Sequence, residues 1–233
     1  MTTPRKSRRR EFLATAGTTL GLLALGDRWR SAANAAEGGV RPGRRDPAQL
    51  QRLLRDMEAK GGRYWSVPRA DGEFLHFLVK ATRARSVLEV GTSHGYSAVW
   101  MGLALEETGG RLTTIEIDSA RHDLARRHLH EAGLSERVTL IHGDAHAKVA
   151  TLTGPFDFVF LDADKEGQVD YFNALYPRTL TPGGLLAVHN AIRQTGAMQD
   201  YLDLVRKHPD FDTVTVSATL DDGFCLSYRH QKP

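Results

Sequence analysis

The stretch VLEVGTSHGYS, residues 87–97, is a short apolar run that ends in two glycines four residues apart and passes directly into a helical pattern. A run too short for a helix and closed by glycine reads as a buried strand. The same strand, turn and helix sequence recurs downstream. Strands are expected at 86–90, 111–117, 138–141, 156–161 and 184–189, with helices at 96–107, 119–132, 145–152, 168–175 and 196–207 between and after them. Strands this apolar have no face to give to water, so they predict a mostly parallel sheet with helices on both faces, an α/β fold. Two last strands, 211–217 and 224–228, are joined through Asp221-Asp222-Gly223 without a helix and predict an antiparallel hairpin at the sheet's edge, making seven strands in all. Ahead of the sheet, Asp46-Pro47 caps a helix carrying Leu50, Leu53, Leu54 and Met57 and stopped by Gly61-Gly62; a second helix runs from Pro68 to about Thr82.

The chain has 233 residues, of which 41% are hydrophobic and 25% charged, the composition of one folded domain rather than of a disordered protein. No apolar run approaches the roughly 18 residues of a spanning helix. The single cysteine, Cys225, excludes an internal disulfide and a cysteine-based metal site. A net charge of +3 suggests a nucleic-acid partner until the chain is divided. Residues 1–35 hold seven basic and two acidic residues, a net +5, whereas the rest, with 24 basic and 26 acidic residues, is −2. The basic segment has a charged start, an apolar stretch from Phe12 to Gly26 and an Ala33-Asn34-Ala35 end, which is the layout of a secretory signal. Its Arg9-Arg10-Glu11-Phe12-Leu13 core resembles the twin-arginine motif. The expectation is a signal peptide over 1–35, a Gly-, Pro- and Arg-rich linker over 36–45 and the folded domain over 46–233. Export to the periplasm or beyond follows, with no membrane insertion once the signal is cut; an uncleaved anchor is the alternative.

In an open parallel sheet, ligands bind beyond the carboxyl ends of the strands. The first strand ends at Gly91 and Gly95, which let a ligand approach the backbone; Glu89, two residues earlier, disfavours a pyrophosphate. The second ends at Glu116, suited to a ribose diol. Together they mark an adenosine-type ligand, with NAD and S-adenosylmethionine both open, although the missing third glycine disfavours NAD. The fourth strand ends in Asp162-Ala163-Asp164-Lys165 and the fifth in His189-Asn190. Adjacent strands bring Asp162, His189 and Asn190 together as donors for a divalent metal, with Lys165 beside them as a candidate base. The plainer readings are a surface ion pair for Asp164-Lys165 and a half-buried structural histidine for His189.

The runs VLEVGTSHGYSAVWM, TTIEID, FDFVFLDADK and GGLLAVHNA, in this order, resemble the cation-dependent O-methyltransferases of the catechol and caffeoyl-CoA type. The resemblance spans about Trp65 to Tyr228. It implies the Rossmann-like class I methyltransferase fold and S-adenosylmethionine as cofactor, bound at Val67, Gly91, Thr92 and Ser97, with Glu89 near its amino group and Glu116 on its ribose. It implies that Ala145 and His146, with Asp144, border the adenine, and that Asp162 joins both the cofactor and the metal set. Asp162 and Asn190 match metal ligands, Lys165 the catalytic lysine and Trp65 a substrate-side apolar residue. The departure is His189, where the family usually has a second aspartate. An imidazole there favours manganese, iron, cobalt or zinc over magnesium and predicts loss of activity below about pH 6. The implied reaction is methyl transfer to a catechol-like phenolic small molecule, with a homodimer by analogy with relatives and no nucleic-acid partner. The competing reading is an exported protein that binds S-adenosylmethionine without turning it over.

Overall fold

The computed structural model describes residues 45–217 and 222–231. The expected signal peptide, the linker up to residue 44 and Asp221 of the hairpin turn lie outside them. Helices α1 (Pro47–Ala59), α2 (Gly61–Tyr64) and α3 (Arg69–Ala81) precede the sheet. The alternating part follows as β1 (Ser86–Val90), α4 (Tyr96–Thr108), β2 (Arg111–Glu116), α5 (Ser119–Glu131), β3 (Val138–His142), α6 (Ala145–Thr151), β4 (Phe156–Leu161), α7 (Gln168–Leu175) and β5 (Leu180–His189). A 3₁₀ turn (Thr195–Met198), α8 (Gln199–Lys207), β6 (Phe211–Val216) and β7 (Phe224–Arg229) complete the described chain. The seven strands form one sheet in the order β3-β2-β1-β4-β5-β7-β6. The first five are parallel, and β7 runs antiparallel to both β5 and β6. The expected Rossmann-like sheet with its reversed hairpin is therefore present.

Side chains alternate between two buried layers, as the period of two requires. Val87, Phe158, Phe160, Ala187 and Phe224 pack with Leu53, Met57, Leu75, Val79 and Met101 of α1, α3 and α4 on one face. Leu88, Val90, Val159, Leu161 and Val188 pack with Val149, Phe172 and Leu202 of α6, α7 and α8 on the other. Counting by twos from Ala187, His189 must point toward the layer that contains α3. Glu89 points the same way from β1, counting from Val87.

Local chemistry explains the ends. Asp46 accepts the Ala48 N–H at 2.9 Å and Pro47 opens α1. The first helix ends at Ala59, just ahead of Gly61-Gly62 as expected; Lys60 N–H reaches Met57 O, a separate short turn forms as α2, and Trp65 closes it in the left-handed region at φ 51°. β5 begins at Leu180 rather than Gly184. Its pairing jumps from Phe156–Leu180 to Phe158–Leu185, so Pro182 and Gly183 (φ 80°) form a bulge inside the strand. Proline has no N–H for a regular ladder, and a bulge absorbs the deficit. The helix expected from Gly196 is α-helical only from Gln199.

α3 lies directly against α4, with Gly72 facing the Trp100 ring so closely that a β-carbon there would fall inside the indole. Gly72→Ala gains helix propensity, but the overpacking outweighs it. We expect a net loss of about 1–3 kcal/mol, read as a lower urea midpoint at unchanged slope.

Candidate active site

Five loops at the carboxyl ends of the parallel strands, with the Tyr64–Val67 segment, enclose a cavity of about 630 Å³. Gly91, Thr92, Ser93 and Ser97 line one side, Glu116 and Ile117 the next, and Asp144, Ala145 and His146 the third. Asp162, Lys165 and Asn190 line the wall formed after β4 and β5, and Trp65 and Val67 line the wall before α3. Of the residues singled out from the sequence, three are not in the lining: Glu89 and His189 stand behind the wall, 0% and 3% exposed, and Gly95, expected to admit a ligand, instead packs against Ala125 of α5.

The first loop is shaped by contact between strand ends. Asp162 N–H donates to Val90 O at 2.8 Å, and a β-carbon on Gly91 (φ 98°) would lie 2.6 Å from Asp162 O. Only glycine fits that approach. Ser93 takes the left-handed region (φ 49°), and its N–H donates to Glu116 Oε2 at 2.7 Å. Asp118 N–H donates to Glu116 Oε1 at 2.9 Å. These two amides hold the Glu116 carboxylate at the cavity edge with acceptor capacity left for a ligand's hydroxyls.

Beneath the loop, Glu89 accepts from Ser97 Oγ and from Thr114 Oγ1, the latter at 2.5 Å. Burial drives its carboxyl up to about 7, against the pull of those two hydroxyls. The Ser97 hydroxyl expected on a ligand thus spends its proton on Glu89. Asp144 caps α6 through the His146 N–H at 3.0 Å, and the His146 ring stacks on Tyr171 at 4.4 Å. Asp164, read from sequence as half of a surface pair with Lys165, instead accepts from Tyr171 Oη at 2.6 Å and faces His146 Nε2 at 3.2 Å. Trp65 is 79% exposed at the rim, with the Arg121 guanidinium 4.5 Å above its ring.

Lys165 pairs with Asp162: Nζ donates to Oδ1 at 2.7 Å. The same oxygen is 3.2 Å from His189 Nδ1, and His189 Nε2 is 2.8 Å from Asp71 Oδ2. Asp71, on α3 and fully buried, is the member of this line that sequence reading missed; an acid at one inward position of an amphipathic helix carries no local signal of its distant partner. Burial works to raise the Asp162 carboxyl, but Lys165 and His189 outweigh it and hold it below the usual range. Burial likewise lowers His189, yet the carboxylates of Asp162 and Asp71 prevail and its ring is pushed up to about 9. The metal-free ring therefore holds its proton more tightly than an ordinary imidazole, because two buried carboxylates stabilise the imidazolium.

The donor set fits a divalent cation. With Nε2 committed to Asp71, the His189 lone pair available to a metal is on Nδ1, on the Asp162 side. The 3.2 Å between Nδ1 and Asp162 Oδ1 is close to the ~3 Å between neighbouring ligands of an ion with bonds of ~2.1 Å. Asn190, at φ 63°, supplies an amide on the cavity wall. Asp71, His189 and Asp222 also offer ligand atoms within 4.8 Å of one another. Asp71 and Asp222 stand outside the cavity lining, however, and each already has a cationic partner, His189 at 2.8 Å and Arg193 at 3.2 Å.

Comparison with known proteins agrees with this geometry. Residues 43–219 match the O-methyltransferase family model. The chain is 34% identical over 197 residues to a catechol O-methyltransferase of Mycobacterium tuberculosis, across 78% of this chain and 88% of that protein. It is 38% identical over 132 residues to a catechol O-methyltransferase of Niastella koreensis, across 55% of this chain and 59% of that protein. Among solved structures, the Bacillus cereus O-methyltransferase in complex with SAH superposes with a TM-score of 0.69 at 25% identity, covering 88% of this chain and 97% of that one. An O-methyltransferase of tomaymycin synthesis from Streptomyces achromogenes, in complex with SAM, gives 0.68 at 26%, covering 88% and 96%. The match runs through the strand ends that build the cavity as well as through the sheet, and the chain belongs to the O-methyltransferase family, enzymes that transfer methyl groups to oxygen.

Proposed function

We propose that the chain moves the methyl group of S-adenosylmethionine to a hydroxyl of a catechol-like or other phenolic small molecule, assisted by a divalent cation. The observation that carries this reading is one cavity whose two halves serve the two reactants. Gly91, Glu116 and His146 line the donor half, and Asp162, Lys165 and Asn190 the acceptor half. SAH in complex with the Bacillus relative, SAM in complex with the Streptomyces relative, and the catechol activity named for two others support it.

In this reading the Gly91–Ser93 backbone and Val67 receive the methionine end, Ser97 holds Glu89 beneath it, and Glu116 takes the ribose diol. Ala145 and His146 border the adenine. Glu89, whose carboxyl is poised at about 7, gives up its proton when the donor's ammonium group comes near. Asp162, His189 Nδ1 and Asn190 would hold a divalent cation, which would lower the pKa of a substrate hydroxyl. In its neutral amine form, Lys165 takes the hydroxyl proton beside the Asp162 carboxylate and becomes the ammonium that pairs with it. The phenolic oxygen then bonds to the methyl carbon as the carbon–sulfur bond breaks, leaving S-adenosylhomocysteine. Holding both reactants in one chamber accounts for ~7 kcal/mol of the barrier or more. The leader over residues 1–35, read as twin-arginine-type, supports export as part of the proposal. No described helix is long and apolar enough to cross a membrane.

The direct test is transfer of labelled methyl from S-adenosylmethionine to catechol, metal-free and then with Mg²⁺, Mn²⁺, Fe²⁺, Co²⁺ or Zn²⁺. Turnover that appears with a cation is the expected result; tight donor binding with no turnover under any ion moves the chain to the binding-protein alternative. Lys165→Ala should lower kcat by ~10²–10⁴-fold with little change in KM for the donor, and an unchanged kcat removes it from the mechanism. The third expectation concerns pH. The metal-free His189 ring keeps its proton up to about 9, so a cation at Nδ1 displaces one proton. Apparent Mn²⁺ affinity should then tighten about tenfold per unit as pH rises from 7 toward 9, and a flat calorimetric profile argues against ligation by His189.

A further inference from the structure

We infer that Asp71 is a positioning residue: it fixes the ring of His189 so that Nδ1 faces Asp162 and Asn190, and through that ring it sets the chain's affinity for a divalent cation. The inference deepens the metal part of the function proposed above and rests on it.

Three observations converge on Asp71. First, its placement serves the fold poorly. Asp71 is 0% exposed on the inward face of α3, beside Leu75 and Leu78, and its Oδ1 is buried without a hydrogen-bond partner. A half-satisfied buried carboxylate destabilises a core, so packing alone does not account for an acid here. Second, its other oxygen meets one group, His189 Nε2, at 2.8 Å. The two residues are 118 positions apart in sequence, and the strand's alternation aims His189 at this helix. Third, apart from Asp162, 3.2 Å from Nδ1, the neighbours that flank the ring are apolar. Phe160 and Phe224 flank it with centroids 6.3 and 5.0 Å away, and neither offers a hydrogen bond.

A histidine ring has two broad orientations about its last torsion, and turning it over exchanges each nitrogen for a carbon. Turned over, the ring would present carbon to both Asp71 and Asp162. The Nε2–H bond to Asp71 blocks that turn and selects the tautomer whose lone pair lies on Nδ1. A carboxylate on the far nitrogen also makes a ligating imidazole more basic; loss of such partners typically costs ~10–100-fold in metal affinity. By the same account, the carboxylate that the family usually carries at position 189 has a counterpart in Asp71, one imidazole further from the cavity.

The test uses the full chain and its Asp71→Ala and Asp71→Asn variants, with Mn²⁺ as the probe. Mn²⁺ binding is followed by electron paramagnetic resonance, S-adenosylmethionine binding by calorimetry, and the His189 ring by ¹⁵N chemical shifts in the metal-free protein, recorded above pH 9 where the ring is neutral. We expect Asp71→Ala to weaken Mn²⁺ by ~10–100-fold, and Asp71→Asn, which keeps an acceptor without its charge, by less. Donor affinity should stay within about twofold in both, and the ¹⁵N pattern should move toward mixed tautomers in Asp71→Ala. Mn²⁺ binding that neither variant changes overturns the inference and leaves the metal reading intact. A wild-type chain that binds S-adenosylmethionine but no Mn²⁺ overturns both. If Asp71→Ala loses donor binding through misfolding, Asp71→Asn decides: weaker Mn²⁺ with donor binding kept supports the inference, and equal Mn²⁺ overturns it.

Discussion

The site depends on how closely the ends of β1 and β4 approach. Asp162 N–H closes the ladder onto Val90 O at 2.8 Å, and the absent side chain of Gly91 admits the Asp162 carbonyl. From that contact the chain leaves in two directions. One branch turns through Ser93 into α4 and forms the donor side of the cavity. The other runs through Asp162 to Lys165 and forms the acceptor side. A side chain at position 91 would separate the two halves before it touched any ligand, because the parallel ladder behind them is buried on both faces and has no slack.

Charge is distributed in this site by burial and pairing together. Asp71, His189, Asp162 and Lys165 form a line of alternating sign, with successive contacts of 2.8, 3.2 and 2.7 Å. Each buried member is tolerable because its neighbour is opposite, and removing one strands the next. The line leads from a helix in the outer layer, across the end of β5, to the cavity wall. It therefore couples the packing of α3 to the electrostatics of the wall where the acceptor hydroxyl is proposed to lie. Glu89 is the exception: it is buried beside hydroxyls rather than a cation, and its raised carboxyl follows.

Much of this was legible beforehand. The strands β1 and β4 and helix α7 fall on their expected bounds, because apolar runs bounded by glycine, proline or acid leave the chain few choices. The cavity residues at the strand ends were legible for the same reason: a parallel sheet presents its ligand face there. What escaped were features of geometry between distant segments. Asp164 reads locally as half of an ion pair with Lys165, yet Tyr171 and His146 claim it. Pro182-Gly183 reads as a turn before a strand, yet the pairing with β4 absorbs it as a bulge. Ser97 reads as a free hydroxyl at a helix start, yet Glu89 lies beneath it.

The sequence by itself determined the alternation of strand and helix, the apolar layers and the identity of the groups at each strand end, since these follow from periodicity and local turn chemistry. The tertiary structure alone decided which carboxylate meets which cation. His189 illustrates the division. Its place at the end of β5 was readable, but its protonation and orientation depend on Asp71, 118 residues earlier, brought there by the packing of α3 against a sheet face. A proton's affinity is set by distances of a few ångströms and by exclusion of water, and neither exists until the chain has folded.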